Sequence, residues 1–473
     1  MRVPLVKIDK NYDLIIVGAG ICGLTLIDRL LEKKFQQKIL VLESGSMLSN
    51  DPYPDQIAVK STNLEIKKTS RYFGVGGGSN VWGPLHGLMD KDKIDYHFSN
   101  SEFPISYSQY IKYINIASEK YATPNSSMFK TFNKDRGSLK PRKIIRNNKK
   151  LNFFSFSSLL ESNSIDFVEN VTAEKIKFTR SEDIVVIKCK KTKTLHEVSG
   201  KYVILSSGTL ENIKILCNSI NNRNSDIGRG FMNHPKGMIG FFKSKKPEIE
   251  SYTIEKIDDN FSSYTGLQIK SHKYLNTYLK VTKGLHLPFF YKLNYLVSDI
   301  TLTNKNFLIQ FISKCLLKLI SIITKIILKF TMNNYFSIEV FCELEKNYDN
   351  LVRLSKDRLI VDYKMSERCI TEVLSLLKEF ETQMKVKISP SYSRNTLYKK
   401  IKRDSSHHMG GLSMGNNHKN LVDNKLKFKS SNNTYITGGS TFNFSDSVNP
   451  SLSYIALSIY LGDYLNEKLN EGC

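Results

Sequence analysis

The 473 residues carry 69 Lys+Arg against 45 Asp+Glu, a net charge of +24 with histidine neutral, and 40% of them are hydrophobic. Counting the 26 glycines raises the apolar share to about 45%, and 24% of residues are charged, both ordinary for a globular protein. These figures exclude a disordered tail, a collagen-like fibre and a disulfide scaffold, and the length calls for two or three domains with room to bury a large cofactor.

Seven cysteines (Cys22, Cys189, Cys217, Cys315, Cys342, Cys369, Cys473) are odd in number and dispersed, none at CxxC spacing, which reads as reduced thiols in a cytoplasmic compartment. Met1 to Lys10 contains no apolar stretch of signal-peptide length. The lysines are scattered rather than blocked and no nucleic-acid-binding motif occurs, so the positive charge is not assigned to a nucleic-acid partner. The histidines, including His86, His97, His234 and His286, show no ligand spacing, and no metal is expected.

In chain order, Asp13 to Val17 is a short apolar run bounded by a turn, the pattern of a buried parallel strand. Gly18-Ala19-Gly20-Ile21-Cys22-Gly23 follows, then Leu24, Ile27, Leu30 and Leu31 at helical spacing, then a second strand, Ile39 to Leu42, with Glu43 at its end. This is the context a GxGxxG dinucleotide fingerprint requires. Gly18 allows the tight turn, Gly20 lets the backbone approach a pyrophosphate, Gly23 lets the helix pack on the strand, and the helix N-terminus favours negative charge. Glu43 is placed to accept from the ribose hydroxyls of an adenosine, which disfavours a 2′-phosphate.

Residues 50 to 150 read as loop and short helix around the cluster Gly74-Val75-Gly76-Gly77-Gly78-Ser79-Asn80, whose successive backbone N–H groups suit a pyrophosphate or the polar edge of a flat ring. Three apolar–polar alternations around Phe167, Val185 and Val203 predict an antiparallel meander leading to a buried strand, with a helix from Thr209 to about Ser219. Residues 236 to 400 mix strand-like pieces with long helices, and a last helix is expected from Ser451 to about Leu469.

Several of these stretches together resemble the glucose–methanol–choline (GMC) oxidoreductases. Arg71 to Gly83 resembles that family's flavin loop, Phe103 to Tyr107 the short motif after it, and Ile227-Gly228-Arg229-Gly230-Phe231-Met232-Asn233-His234-Pro235 the stretch leading into the substrate domain. Asn170 to Ile176 resembles the segment whose backbone meets the adenine, and the residues from His407 onward match best. The likeness covers both ends of the chain and fades between 240 and 400.

The resemblance implies an α/β protein (α+β overall). A Rossmann-like FAD-binding domain would be built from both chain ends (1–235 and 401–473), with an inserted substrate domain (236–400) of antiparallel sheet and helices. It implies FAD held by Gly18, Gly20, Gly23, Glu43, Gly76, Gly77, Ser79, Asn80, Gly439, Pro450 and Ser451. Val81 stands where some members carry a tethering histidine, so the FAD is expected to be noncovalent. Many members have Asp in the segment that here reads Thr437-Gly438-Gly439-Ser440.

In Ser406-His407-His408-Met409-Gly410-Gly411 the family pattern puts the catalytic base at His407, with His408 the adjacent alternative. Asn449 matches the second polar group facing the substrate, and Pro450 opens a helix whose N-terminus would face the flavin. The implied reaction is oxidation of a CH–OH group (alcohol, sugar or polyol) by hydride transfer to flavin N5, by a dehydrogenase rather than an oxidase. The electron acceptor would be a quinone, a carrier or oxygen. The alternative is a flavin-binding lyase or a non-redox descendant.

Residues 307 to 330 are nearly all Leu, Ile, Phe and Lys; as a helix of about 36 Å, Lys314, Lys318, Lys325 and Lys329 share an arc of roughly 60°. Four lysines argue against crossing a bilayer. Two readings stand: a helix lying on the inner face of a membrane, or a core helix of the substrate domain with its lysine stems at the surface; an oligomer contact is a third.

Overall fold

The computed structural model describes residues 4–47, 59–66, 70–131, 135–149, 153–220, 226–269, 276–286, 293–294, 296–298, 300–301, 304, 306–331, 333–355 and 358–470. Asn11–Val17 and Ile39–Leu42 are fully apolar where they meet, and they pair in parallel with the helix Ile21–Glu32 crossing between them. Ile165–Val168 extends this sheet on one side and Leu195–Leu205 on the other, and Thr434–Ile436 adds a parallel strand beyond Leu205 from the far end of the chain. The helix Ser451–Asn470 packs on Ile21–Glu32, where Gly462 faces Arg29 and the Arg29 guanidinium grips Asp463 at 2.7 and 3.0 Å. Both chain ends thus build one dinucleotide-binding layer.

The expected meander is real for Val171–Lys177, Asp183–Cys189 and the first half of Leu195–Leu205. The burst around Phe167 belongs elsewhere: Ile165, Phe167 and Val168 are buried, and that strand joins the parallel sheet against Ile39–Leu42.

The second sheet is antiparallel, in the order Lys236–Lys243, Tyr335–Phe341, Tyr278–Lys283, Phe261–Ile269, Leu139–Asn147 and Leu85–His86. A boundary at 236 assigns Leu139–Asn147 to the first domain, whereas all nine of its residues are in register with Phe261–Ile269. Leu139 and Ile144, on opposite faces of this strand, are both buried in the core. A buried pair locks the sheet to the C-terminal segment: Arg142 donates to both carboxylate oxygens of Asp446 at 2.7 Å and to Leu88 O at 2.7 Å.

The helix Phe307–Thr331 forms over the expected span, but Ser313 and Ile320 are its only residues recorded as buried. A core helix is therefore not what this segment makes; most of its apolar residues, Phe307, Leu308, Ile312, Leu319, Ile322, Ile326 and Phe330 among them, are exposed. None of the described helices is long and apolar enough to cross a membrane.

Candidate active site

An elongated cavity of about 1250 Å³, mouth included, runs along the carboxyl ends of the parallel strands. One end is walled by Glu43 and Val171 to Ala173, the other by Ser406, His408, Gly439 and Tyr454, with Gly18, Gly20, Gly77 and Gly78 between them.

The glycine fingerprint does what its spacing predicts. A Cβ on Gly23 would sit 2.1 Å from Gly18 O, so only glycine lets this helix lie on the strand. Gly18 adopts φ +104°, and a Cβ there would meet Ser206 O at 2.8 Å. Gly78 and Gly208, by contrast, look onto open space, so bare backbone faces the cavity there. Gly20 and Gly208 immediately precede two helices, which presents two sets of free N–H groups to an anion.

Glu43 is used differently from the expectation. Its carboxylate accepts from Ala19 N (2.9 Å), Gly45 N (2.8 Å) and Gly74 N (2.9 Å), tying the fingerprint to the second glycine loop. A carboxylate offers about four lone-pair sites, so room remains for one ribose hydroxyl rather than two. In the loop itself Gly76 is left-handed, Ser79 Oγ donates to Gly76 O at 2.8 Å and Asn80 Nδ2 to Val75 O at 2.8 Å. Gly76, Ser79 and Asn80 shape the loop rather than line the cavity; Pro450 and Ser451 likewise stand outside its wall, at the start of the last helix. Arg71, which sequence reasoning quoted only within a motif, lines the cavity and pairs with Glu211.

The residues present fit a bound dinucleotide. Bare glycine backbone cradles the cavity, and the Tyr454 hydroxyl, buried on its wall, has no hydrogen-bond partner among the described residues. A buried hydroxyl left unpaired costs roughly 1–3 kcal/mol, which a polar ring edge would relieve.

His407 and Asn449 meet just past the Ser406–His408 wall. A two-way backbone bridge between Met232 and Met409 (2.8 and 3.0 Å) draws the segment before Lys236 against the His407 loop. It sets His234 Nδ1 2.9 Å from His407 Nδ1, while His407 Nε2 lies 3.1 Å from the Asn449 amide nitrogen. Asn449 comes from the turn that Asp446 and Arg142 hold.

The proton positions follow from one fixed point. His234 Nε2 is 2.9 Å from Ser445 O, and a carbonyl can only accept, so Nε2 carries the hydrogen. Burial drives the His234 pKa down to about 4, so the ring is neutral and its Nδ1 is a bare acceptor. His407 must then donate from Nδ1, which leaves Nε2 unprotonated and accepting from the Asn449 amide at 3.1 Å. Burial first, then the neighbouring His234 ring and the Lys236 charge, which disfavour a second positive charge here, hold His407 well below the ordinary histidine value. His408 is placed otherwise: its ring is tied to Asp404 at 3.3 Å.

His234 is the residue that sequence reasoning passed over; the Asn-His-Pro stretch was quoted, but a lone histidine without ligand spacing gave no reason to single it out. Replacing His234 with Phe removes the acceptor for His407 Nδ1–H. We expect kcat to fall at least about tenfold with KM little changed, and His234→Gln, whose amide oxygen can accept, to recover most of it. Equal losses in the two variants would refute the assignment.

No curated protein sequence matches the chain. Residues 355–458 match the GMC oxidoreductase family's C-terminal-domain profile. Among solved structures, pyridoxine 4-oxidase from Mesorbium loti aligns over 97% of this chain and 99% of its own, at 13% identity and TM-score 0.60. A fungal aryl-alcohol oxidase aligns over 98% and 100%, at 12% and 0.62. An FAD-dependent oxidoreductase from Chaetomium thermophilum aligns over 97% and 100%, at 13% and 0.62. At such identities the likeness is one of fold. The fold and the cavity are those of a dinucleotide-binding protein, and over residues 355–458 the chain is similar to the GMC oxidoreductases.

Proposed function

We propose that this protein oxidises a CH–OH group of a small alcohol, sugar or polyol, with His407 as base. The observation that carries this is the unprotonated Nε2 of His407, its ring aligned by His234 and its lone pair accepting from the Asn449 amide at 3.1 Å, where a substrate hydroxyl can insert. A substrate hydroxyl bridging the two would donate to His407 Nε2 and accept from Asn449 Nδ2. His407 takes the hydroxyl proton on Nε2 while Nδ1–H keeps the ring aimed through His234. FAD, when bound, supplies the hydride acceptor. Gly18, Gly20, Gly77 and Gly439, which line the cavity, would hold it through backbone contact. Val81 has no atom able to form a tether, in keeping with noncovalent FAD.

We read the enzyme as a dehydrogenase passing electrons to a quinone or carrier in preference to oxygen. The six described cysteines are unpaired, in keeping with a cytoplasmic setting; Cys473 lies outside the described residues. No feature of the site favours a lyase or a non-redox descendant.

The test is anaerobic. Purified protein should show a flavin spectrum, release FAD on denaturation, and bleach with at least one member of an alcohol, sugar and polyol panel. Reoxidation by a quinone analogue faster than by air would support the dehydrogenase reading. A flavin that no panel member reduces would sink the proposal.

Because His407 is held neutral, kcat/KM should stay level as pH falls through the ordinary histidine range near 6.5. Initial rates across that range check this; an inflection at 6.5 would mean His407 titrates normally.

A further inference from the structure

We infer that the helix Phe307–Thr331 is a docking surface for an anionic lipid bilayer. Three stripes run along it at 100° per residue. Ser313 and Ile320 mark the inner stripe, held by a 2.8 Å bond from Thr301 Oγ1 to Ser313 Oγ. About a third of a turn round lie Lys314, Lys318, Lys325 and Lys329, all exposed. Beyond them, on the outward side, run Leu308, Ile312, Leu319, Ile322, Ile326 and Phe330, each between 52% and 81% exposed.

So long an exposed apolar row marks a site that something covers. Its chemistry selects the cover. The 25 residues include no Asp or Glu, and the four lysines line one border of the apolar row, where headgroup phosphates lie when an apolar face sinks into a bilayer. Lys243 and Lys245 add exposed positive charge at the helix exit, where Ser244 N bonds Asn334 O at 3.0 Å. A second copy would bring an identical lysine row to the same seam with no acidic residue on either helix to answer it. The four lysines also keep the helix from spanning, so it lies along the surface for its roughly 37 Å.

The holoprotein is tested by co-sedimentation with vesicles of phosphatidylcholine alone and with one-third phosphatidylglycerol. Binding is expected to the anionic vesicles at low salt, to weaken as salt rises, and to be much weaker without phosphatidylglycerol. Replacing the four lysines with Gln should reduce partitioning by at least about 100-fold, on roughly fivefold per lysine. Ile322→Asp with Ile326→Asp should reduce it as well. All six positions are outside the core, so unchanged flavin absorbance and melting temperature verify folding and the catalytic site separately. No binding to anionic vesicles at low salt overturns the inference, as does binding indifferent to the lysine replacements. A dimer that Ile322→Asp/Ile326→Asp dissolves, in a protein that ignores vesicles, overturns it in favour of a second copy.

Discussion

Replacing His407 with alanine is expected to lower kcat at least about 100-fold while FAD stays bound. The loss follows from removing the ring nitrogen that the hydrogen-bond chain leaves unprotonated against the Asn449 amide. Binding should survive because His407 is absent from the cavity wall, which Ser406 and His408 form. His408→Ala should behave in the opposite way. Its ring is fixed to Asp404, which also accepts from Asn233 Nδ2 and Ser406 N, so its removal loosens the loop and the cofactor end before it touches proton transfer. Steady-state rates beside a flavin titration of both variants separate the roles. A fully active His407→Ala protein would return the base to His408 or discard it.

Replacing Arg142 with methionine is expected to destabilise the protein by about 3–5 kcal/mol, the usual cost of stranding one member of a buried ion pair. Asp446 is wholly buried, and the Arg142 charge holds its carboxyl far below the ordinary range. Without the guanidinium that carboxylate keeps neutral donors, Asp90 N at 2.8 Å, Ser447 N at 2.5 Å and the Ser447 hydroxyl at 3.5 Å. Asp446 sits at φ +48°, where Asn is also tolerated, so Arg142→Met with Asp446→Asn should regain part of the loss by removing the buried charge. Denaturation midpoints of the three proteins check this. The single variant should also lose turnover, since the strand carrying Arg142 holds the turn that delivers Asn449.

The dinucleotide half of the molecule was legible because its constraints are local. Strand, glycine turn, helix and strand are contiguous from Asn11 to Leu42, and the steric reasons for Gly18 and Gly23 act between neighbours in sequence. His407 and Asn449 were legible through family spacing, not through chemistry visible in their own segments. What failed to show was what depends on distant pairing. His234 acquires its role from a bridge between Met232 and Met409, and no periodicity encodes a contact 173 residues apart. Leu139–Asn147 could not be assigned to its sheet before its partner at Phe261–Ile269 was known. Glu43 stood at the right place, but its carboxylate is drawn to backbone N–H groups of a loop that sequence spacing does not bring near it. The basic helix was visible as amphipathic; which face would turn outward depends on contacts from elsewhere, Thr301 on Ser313 and Leu285 N on Thr331 Oγ1.

The joining of both chain ends has a consequence for synthesis. Gly18 and Gly20 emerge from the ribosome early, but Gly439 and Tyr454, which complete the same cavity, are made more than 400 residues later. Until Thr434–Ile436 pairs with Val203–Leu205, the strand Leu205 belongs to has an open edge and the helix Ile21–Glu32 lacks its cover. Cofactor capture is thereby tied to translation of the last segment. A chain cut short before that segment would present unpaired edge and bare apolar helix to the cell's quality control, and FAD would load only onto finished molecules.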